Sequence, residues 1–163
     1  MPSHGPSPIS SAEYESRLRR IRRIARSFGF TGRIEYRHVF SGSGGAQFAL
    51  ASSPEEDLLI LDAEAFLRNS KRDDFSLEAM IAHERGHQIV CRNNKLQELF
   101  GRRIAPATEE ILASLAGSWL VKAKRDRQSL VFKAVGEALK CGLSGGEAAH
   151  LIKELRALME HMR

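Results

Sequence analysis

The chain has few of the features that would place it outside the cell or in a membrane. Its 163 residues include only two cysteines, Cys91 and Cys141, which is too few for a disulfide scaffold. No apolar run approaches the roughly 18 residues that a membrane-spanning helix needs. The first residues also lack the apolar core of a secretory signal. We therefore expect a cytoplasmic protein with no membrane partner.

Several common binding signatures are missing as well. The sequence has no internal repeat and no base-reading motif such as a zinc finger or the aromatic signature of RNA-binding domains. The glycine-rich stretch Ser41–Gly45 is not followed by the Lys-Ser/Thr pair and helix of a phosphate-binding loop. Neither a repeat protein nor a P-loop nucleotide-binding protein is indicated.

Positive charge, in contrast, is concentrated in one segment. The net charge of +5 has a local source in the predicted first helix. Six arginines form a basic face around its apolar stripe: Arg17, Arg19, Arg20, Arg22, Arg23 and Arg26. Such a face can contact the phosphates of nucleic acid or an acidic protein partner. A solvated helix face is the more common explanation, and both remain open at this point.

Composition and patterning predict a flexible tail followed by a single α+β domain. Residues 1–9 are rich in Pro, Ser and Gly, as is typical of a loose terminus. Residues 10–163 have the length of one domain that can bury a core. Within that domain, residues 125–163 are predicted to form a helical C-terminal extension.

Three segments have the patterns of β-strands. Residues 33–40 alternate like a half-buried strand, and residues 46–51 are predicted to pair with them in a hairpin across Ser41–Gly45. Residues 58–61 are predicted to form a fully buried strand that ends at Asp62. We expect a small antiparallel or mixed three-stranded sheet packed against two central helices.

Further helices are predicted on both sides of this core. A capping box from Ser10 to Glu13 begins an N-terminal helix that stops at Gly29. Near the C-terminus, residues 129–140 form one helix, and Ser144 caps the last one. The last helix carries an apolar stripe, which is either a packing face of the domain or a partner surface: Leu151, Ile152, Leu155, Leu158 and Met162.

The most informative segment is the pentapeptide His83-Glu84-Arg85-Gly86-His87. Residues four apart lie on the same face of a helix, so His83 and His87 can bind one metal ion. Glu84 is rotated by about 100° around the axis. From there it can reach a water on that metal and act as a general base. This pattern is typical of zinc hydrolases.

The flanking residues provide a helix to carry this motif. Ser76 is a suitable N-cap, with Glu78 in the first turn, where the helix dipole favours a negative charge. Apolar residues recur with the two histidines at helical spacing. Cys91 lies one turn beyond His87, where it is either near the metal or simply a small buried side chain.

A third metal ligand must come from another part of the chain. A helix predicted from Pro106 to Val121 carries two candidates, Glu109 and Glu110. Glu110 shares its face with small residues that would let the two helices lie close together: Ala113, Ser114 and Gly117. Glu109 faces larger apolar residues and also fits a first-turn carboxylate favoured by the helix dipole. We predict Glu110 as the ligand and keep Glu109 as its competitor.

These segments resemble a known family. The motif His83–His87, followed by the pentapeptide Glu110–Ser114, is similar to the gluzincin metallopeptidases and most similar among them to the ImmA/IrrE-type peptidases. The resemblance covers approximately residues 10–125. Ser114 stands where that family usually has Asn, and Arg85 stands where it commonly has an aliphatic residue. The proline that often closes the family's glutamate helix is also missing.

The residues predict a zinc site of His83, His87 and Glu110, with Glu84 carrying a proton from water to the leaving amine. The resemblance implies a zinc endopeptidase that cleaves an intracellular regulatory protein, such as a repressor or another DNA-binding protein. It further implies that an edge strand of the sheet pairs with the extended peptide substrate. Two alternatives remain: a catalytically silent zinc-binding module, and a nucleic-acid-associated regulatory module that uses the arginine-rich first helix.

Overall fold

The computed structural model describes residues 4–67, 75–101 and 104–162. In these ranges the chain has an α+β fold with six α-helices, a short 3₁₀ helix at Ala63–Phe66 and three strands. The helices are α1 (Ser11–Ser27), α2 (Leu77–Cys91), α3 (Asn94–Phe100), α4 (Pro106–Ser118), α5 (Lys124–Lys140) and α6 (Gly145–His161). The strands are β1 (Arg33–Arg37), β2 (Ala46–Ala49) and β3 (Leu58–Asp62). The predicted fold class is confirmed.

Local capping signals start three of the helices. The hydroxyls of Ser10, Ser76 and Ser144 each accept a hydrogen bond from the backbone N–H three residues further on, at 3.1, 3.0 and 3.2 Å. At Ser144 the glutamate three residues on completes a capping box. At Ser10 the carboxylate of Glu13 instead accepts a hydrogen bond from Arg17 at 3.0 Å. The predicted capping box at the first helix is therefore only half formed.

The sheet is mixed, and its strand order is β1-β3-β2. Strand β3 pairs with β1 in parallel and with β2 antiparallel. The predicted hairpin between the first two strands is therefore wrong, whereas the mixed three-stranded sheet is confirmed. β3 takes the central position because four of its five residues are buried, and an apolar strand of this kind is stable when covered on both faces.

Helix boundaries differ from the predictions in the second half of the chain. α4 ends at Ser118, three residues before the predicted end at Val121. α5 begins at Lys124 rather than at Ser129. A favourable first turn explains the earlier start of α5, because Asp126 lies near the positive end of the helix dipole. Asp126 also accepts a hydrogen bond from the hydroxyl of Ser76 at 2.7 Å, which ties α5 to the start of α2.

α2 and α4 cross with their backbones in close contact. A Cβ atom added to Gly86 of α2 would lie 2.0 Å from the carbonyl oxygen of Ala113. A Cβ atom added to Gly117 of α4 would lie 2.7 Å from the carbonyl oxygen of Ala82. Only glycine fits at either position. The small residues of α4 therefore allow the close approach that the sequence predicted.

The C-terminal helices pack onto the side of α4. Ile152 and Leu155 of α6 are buried in one apolar cluster with Leu112 and Leu115 of α4 and Ala134 of α5. The other three members of the predicted stripe on α6 pack against the same cluster. The stripe is thus a packing face within the domain. Among the helices that the structure describes, none has the length and apolarity to cross a membrane.

A buried polar network joins α2 to the loop that precedes β3. The Asp57 side chain is fully buried and receives two hydrogen bonds of 2.7 Å from Arg92. Gln88 and the backbone N–H of Ala51 also donate to it, each at 2.7 Å. Burial raises the pKa of Asp57, but these hydrogen bonds outweigh burial and lower the pKa to about 2. The buried carboxylate of Asp57 therefore has a cationic partner and accepts four hydrogen bonds.

Candidate metal centre

The two motif histidines lie side by side on the face of α2 that meets α4. Their side chains are mostly buried, with 7% and 13% exposed for His83 and His87. Their rings are nearly perpendicular, with centroids 4.7 Å apart. The two Nε2 atoms are only 3.2 Å apart. The helical spacing of the motif thus brings two imidazole nitrogens to one point.

Glu110 of α4 reaches the same point from the opposite helix. One carboxylate oxygen, Oε2, lies 3.1 Å from Nε2 of His83. The other, Oε1, lies 3.3 Å from Nε2 of His87. Hydrogen bonds with His83 and His87 lower the pKa of Glu110 well below its usual value. The carboxylate is therefore ionised and faces both histidines.

The other nitrogen of each ring has its own partner on α4. Nδ1 of His83 is 3.0 Å from the hydroxyl of Ser114, and Nδ1 of His87 is 3.1 Å from the carboxylate of Glu109. With a proton on each Nδ1, both Nε2 lone pairs point to Glu110. Glu109 is thus a partner of the histidine ring on the side away from that point.

Sequence reasoning assigned neither of these supporting roles. Ser114 lies one turn beyond Glu110, so helical spacing predicts that it faces α2. The sequence indicated it only as a small residue that allows the two helices to pack closely. The hydroxyl of Ser114 could have indicated its role as a partner of His83, because buried ligand histidines commonly donate their second N–H to an oxygen. Glu109 was weighed as a competing ligand or as a first-turn carboxylate.

The convergent atoms of His83, His87 and Glu110 fit zinc in kind and in spacing. Two imidazole nitrogens and one carboxylate form a common catalytic zinc set. Ligand atoms at zinc distances in a tetrahedron lie about 3.3 Å from one another. Here the two Nε2 atoms are 3.2 Å apart, Oε2 of Glu110 lies 3.1 Å from that of His83, and Oε1 lies 3.3 Å from that of His87. One cation between the three groups would satisfy all of them at once.

Glu84 lies beside this point, and with the two histidines it forms a second group that could hold a metal ion. Ligand atoms of His83, Glu84 and His87 all lie within 4.8 Å of one another. Burial raises the pKa of Glu84, and the two histidines act in the opposite direction. A carboxylate with a raised pKa is suited to accept a proton and release it again.

The carboxylates around His87 favour a positive charge at this point. Burial lowers the pKa of His87, but the hydrogen bond to Glu110 and the charge of Glu84 outweigh burial and raise the pKa to about 9. The same carboxylates that favour a proton on this ring also favour a metal cation.

A cleft of about 870 Å³ gives access to the centre. The motif side chains and Glu110 line it, and so do β2 on the sheet side and α5 on the helical side. Among the strands that the structure describes, β2 has only β3 as a neighbour, so it is an edge strand of the sheet. The edge that faces the cleft, which could not be identified from the sequence, is therefore that of β2.

Two residues near the motif face away from the centre. Arg85 donates to the carbonyl oxygen of Phe28 at 3.0 Å and to the side chain of Gln88 at 2.6 Å. These bonds explain why a charged residue is tolerated at this motif position. The thiol of Cys91 donates to Glu109 at 3.1 Å, and burial together with Glu109 raises its pKa to about 12. Cys91 therefore contacts Glu109, the partner of the His87 ring on the side away from Glu110.

The arginine-rich face of α1 divides into two sets. Arg17 donates to the hydroxyl of Tyr36 at 2.8 Å, and Arg26 donates to the carbonyl oxygens of Phe30 and Gly32. Arg20 forms an ion pair with a cleft residue, Glu78, at 3.8 Å. The remaining arginines of the face are exposed: Arg19, Arg22 and Arg23.

Comparisons with protein-family models, with curated proteins and with the solved structures found no match for this chain.

Proposed function

We propose that this protein is a zinc-dependent endopeptidase of the gluzincin type, similar to the ImmA/IrrE peptidases. The observation that carries the proposal is that the Nε2 atoms of His83 and His87 lie 3.2 Å apart and each faces one oxygen of the Glu110 carboxylate, at 3.1 and 3.3 Å. The chemistry of this donor set favours zinc over harder cations, which prefer oxygen ligands.

When bound, zinc supplies a Lewis acid that polarises a peptide carbonyl and makes water acidic near neutral pH. The chain's own residues supply the rest. Glu84 accepts the proton of the attacking water on its carboxylate and passes it to the leaving nitrogen. Ser114 and Glu109 hold the two imidazole rings in position.

The cleft supports a peptide as substrate. Within the described residues, the outer edge of β2 pairs with no other strand, so it offers backbone groups to which an extended chain can add as a further strand. Residues of this strand line the cleft, including Ala46, Gln47 and Phe48. Backbone pairing of this kind accepts many side chains, so selectivity has to come from other groups in the cleft. From the family resemblance, the proposed substrate is a regulatory protein in the cytoplasm.

The test is peptide cleavage by zinc-loaded wild type and by Glu84→Gln. The amide keeps the shape of the side chain but cannot accept the proton, so we expect cleavage to fall by a factor of about 10²–10⁴. Zinc content and melting temperature should stay unchanged, since Glu84 is not among the proposed ligands. Full activity in Glu84→Gln would disprove the general-base role. Zinc binding by wild type without cleavage of any peptide would favour the silent zinc-binding module.

A further inference from the structure

α5 carries a cation into the wall of the cleft, and the proposed chemistry does not use it. Lys133 lines the same cleft as His83, Glu84 and Glu110. It comes from the helical extension after residue 125, beyond the part of the chain that resembles the peptidase family. Its side chain is only 20% exposed. An ammonium group in such a place has lost part of its hydration and needs acceptors.

The protein itself satisfies this ammonium group poorly. Its nearest acidic partner is Glu137, at 3.7 Å, which exceeds the length of a hydrogen bond. The same oxygen of Glu137 already accepts a hydrogen bond from Lys140 at 3.1 Å. Within the described part of the chain, Lys133 donates no hydrogen bond. Its three N–H groups are thus available to a ligand in the cleft.

Lys133 is also close enough to the reaction centre to affect it. Burial raises the pKa of Glu84, and the positive charge of Lys133 is one of the influences that lower it. The other cation that lines the cleft in the described ranges is Arg20, which is 50% exposed and pairs with Glu78. Lys133 is therefore the less hydrated of the two cations, and it acts electrostatically on the general base.

We propose that Lys133 forms a subsite for a carboxylate of the substrate and so determines specificity. The inference depends on the proposed peptidase function and narrows its substrate class. The carboxylate belongs either to an acidic side chain near the cleaved bond or to a free C-terminus. Both sources present the same two oxygens to the ammonium group, which donates charge-assisted hydrogen bonds to them. An acidic side chain fits an endopeptidase, and a free C-terminus would make the enzyme a carboxypeptidase.

Peptide hydroxamates provide the probe, because the hydroxamate anchors on zinc and the peptide is not cleaved. One pair carries Glu or Gln beside the anchor, and a second pair ends in a free carboxylate or an amide. Calorimetry measures the Kd of each probe for zinc-loaded wild type, Lys133→Met, Lys133→Arg and Lys140→Met. Lys140 is the matched control, because it pairs with the same Glu137 but its side chain is 74% exposed and does not line the cleft.

In wild type, the carboxylate member of at least one pair should bind about tenfold more tightly than its amide. Lys133→Met should abolish this preference, whereas Lys133→Arg and Lys140→Met should keep most of it. The pair that shows the preference identifies the source of the carboxylate. Equal binding within both pairs in wild type, or an unchanged preference in Lys133→Met, overturns the proposal.

The proposed function can fail separately. If the amide probes bind zinc-loaded wild type but the carboxylates add nothing, the subsite is wrong and the metal site stands. If no hydroxamate binds wild type, and metal analysis finds no zinc, both proposals fall. Melting temperatures confirm that each variant is folded, and the Lys133→Arg variant separates the loss of charge from a change in shape.

Discussion

Two polar clusters lie on different faces of α2, and they are built in opposite ways. On one face, Asp57 receives hydrogen bonds from Arg92, Gln88 and a backbone N–H, so donors and acceptors balance. On the other face, His83 and His87 meet the carboxylate of Glu110, with Glu84 beside them. There, two imidazole rings converge with two carboxylates, and this arrangement favours a positive charge.

This difference separates a structural polar cluster from a functional one. Buried charges that stabilise a fold bring their own counter-charges, as Asp57 and Arg92 do. Buried carboxylates that converge with imidazole lone pairs leave room for a cation from outside the protein. Substitutions in the Asp57 cluster should therefore lower stability and leave metal binding unchanged. Substitutions among His83, His87 and Glu110 should weaken metal binding far more than they lower stability.

The largest expected effect comes from breaking the balanced cluster. Asp57→Ala leaves Arg92 and the buried Gln88 without their acceptor, so the free energy of unfolding should fall by about 3–5 kcal/mol. Denaturant unfolding measures this change. Glu35→Ala is the control, because its ion pairs with Arg33 and Arg37 are on the surface and should contribute less than about 1 kcal/mol. Equal effects of the two substitutions would contradict the structural role of Asp57.

A second effect tests the contact that brings the metal ligands together. In Gly86→Ala, the new Cβ would lie 2.0 Å from the carbonyl oxygen of Ala113, so α2 and α4 must separate. We expect a loss of about 3 kcal/mol of stability and weaker zinc binding, since Glu110 moves with α4. Gly136→Ala on α5 is the matched control, with open space at its Cβ position. That variant should gain about 0.5–1 kcal/mol, and a similar gain in Gly86→Ala would show that the close contact is absent.

A smaller effect should appear in acid. The pKa of Asp57 is about 2 in the folded protein against 3.8 as the ordinary value. Because the pKa of Asp57 is lower in the folded protein, its ionised carboxylate stabilises the fold. This stabilisation is present above about pH 4 and is lost as the pH falls towards 2. The loss is on the order of 2 kcal/mol. It should appear as a stability gap between wild type and Asp57→Asn that closes between about pH 5 and pH 2. Parallel pH profiles of the two proteins would contradict the assignment.

Local sequence signals predicted five of the six described helices, missed α3 (Asn94–Phe100), and gave the wrong strand pairing. Ser76 and Ser144 cap their helices as predicted, because capping depends on residues only three positions apart. Strand order depends on which strand is buried on both faces, and the apolar run Leu58–Leu61 prevented the hairpin. Short connections favour hairpins in general, but burial of this strand outweighs that preference.

The candidate metal centre, too, was predicted only in part from the sequence. Helical spacing predicts that His83 and His87 share a face, and small residues on α4 predict its close approach. The position of Lys133 in the cleft could not be predicted, because it depends on how α5 packs against the two central helices. The role of Asp57 was equally hidden, since it depends on a loop that folds back against α2.

The metal content of purified protein tests the central claim most directly. Wild type should bind one zinc ion per chain, and Glu110→Ala should lose stoichiometric zinc while remaining folded by circular dichroism. Glu109→Ala should still bind one ion, with an affinity about 10–100-fold weaker, because it removes the partner of His87 Nδ1 and not a proposed ligand. Stoichiometric zinc in Glu110→Ala, together with its loss in Glu109→Ala, would contradict the proposed ligand set.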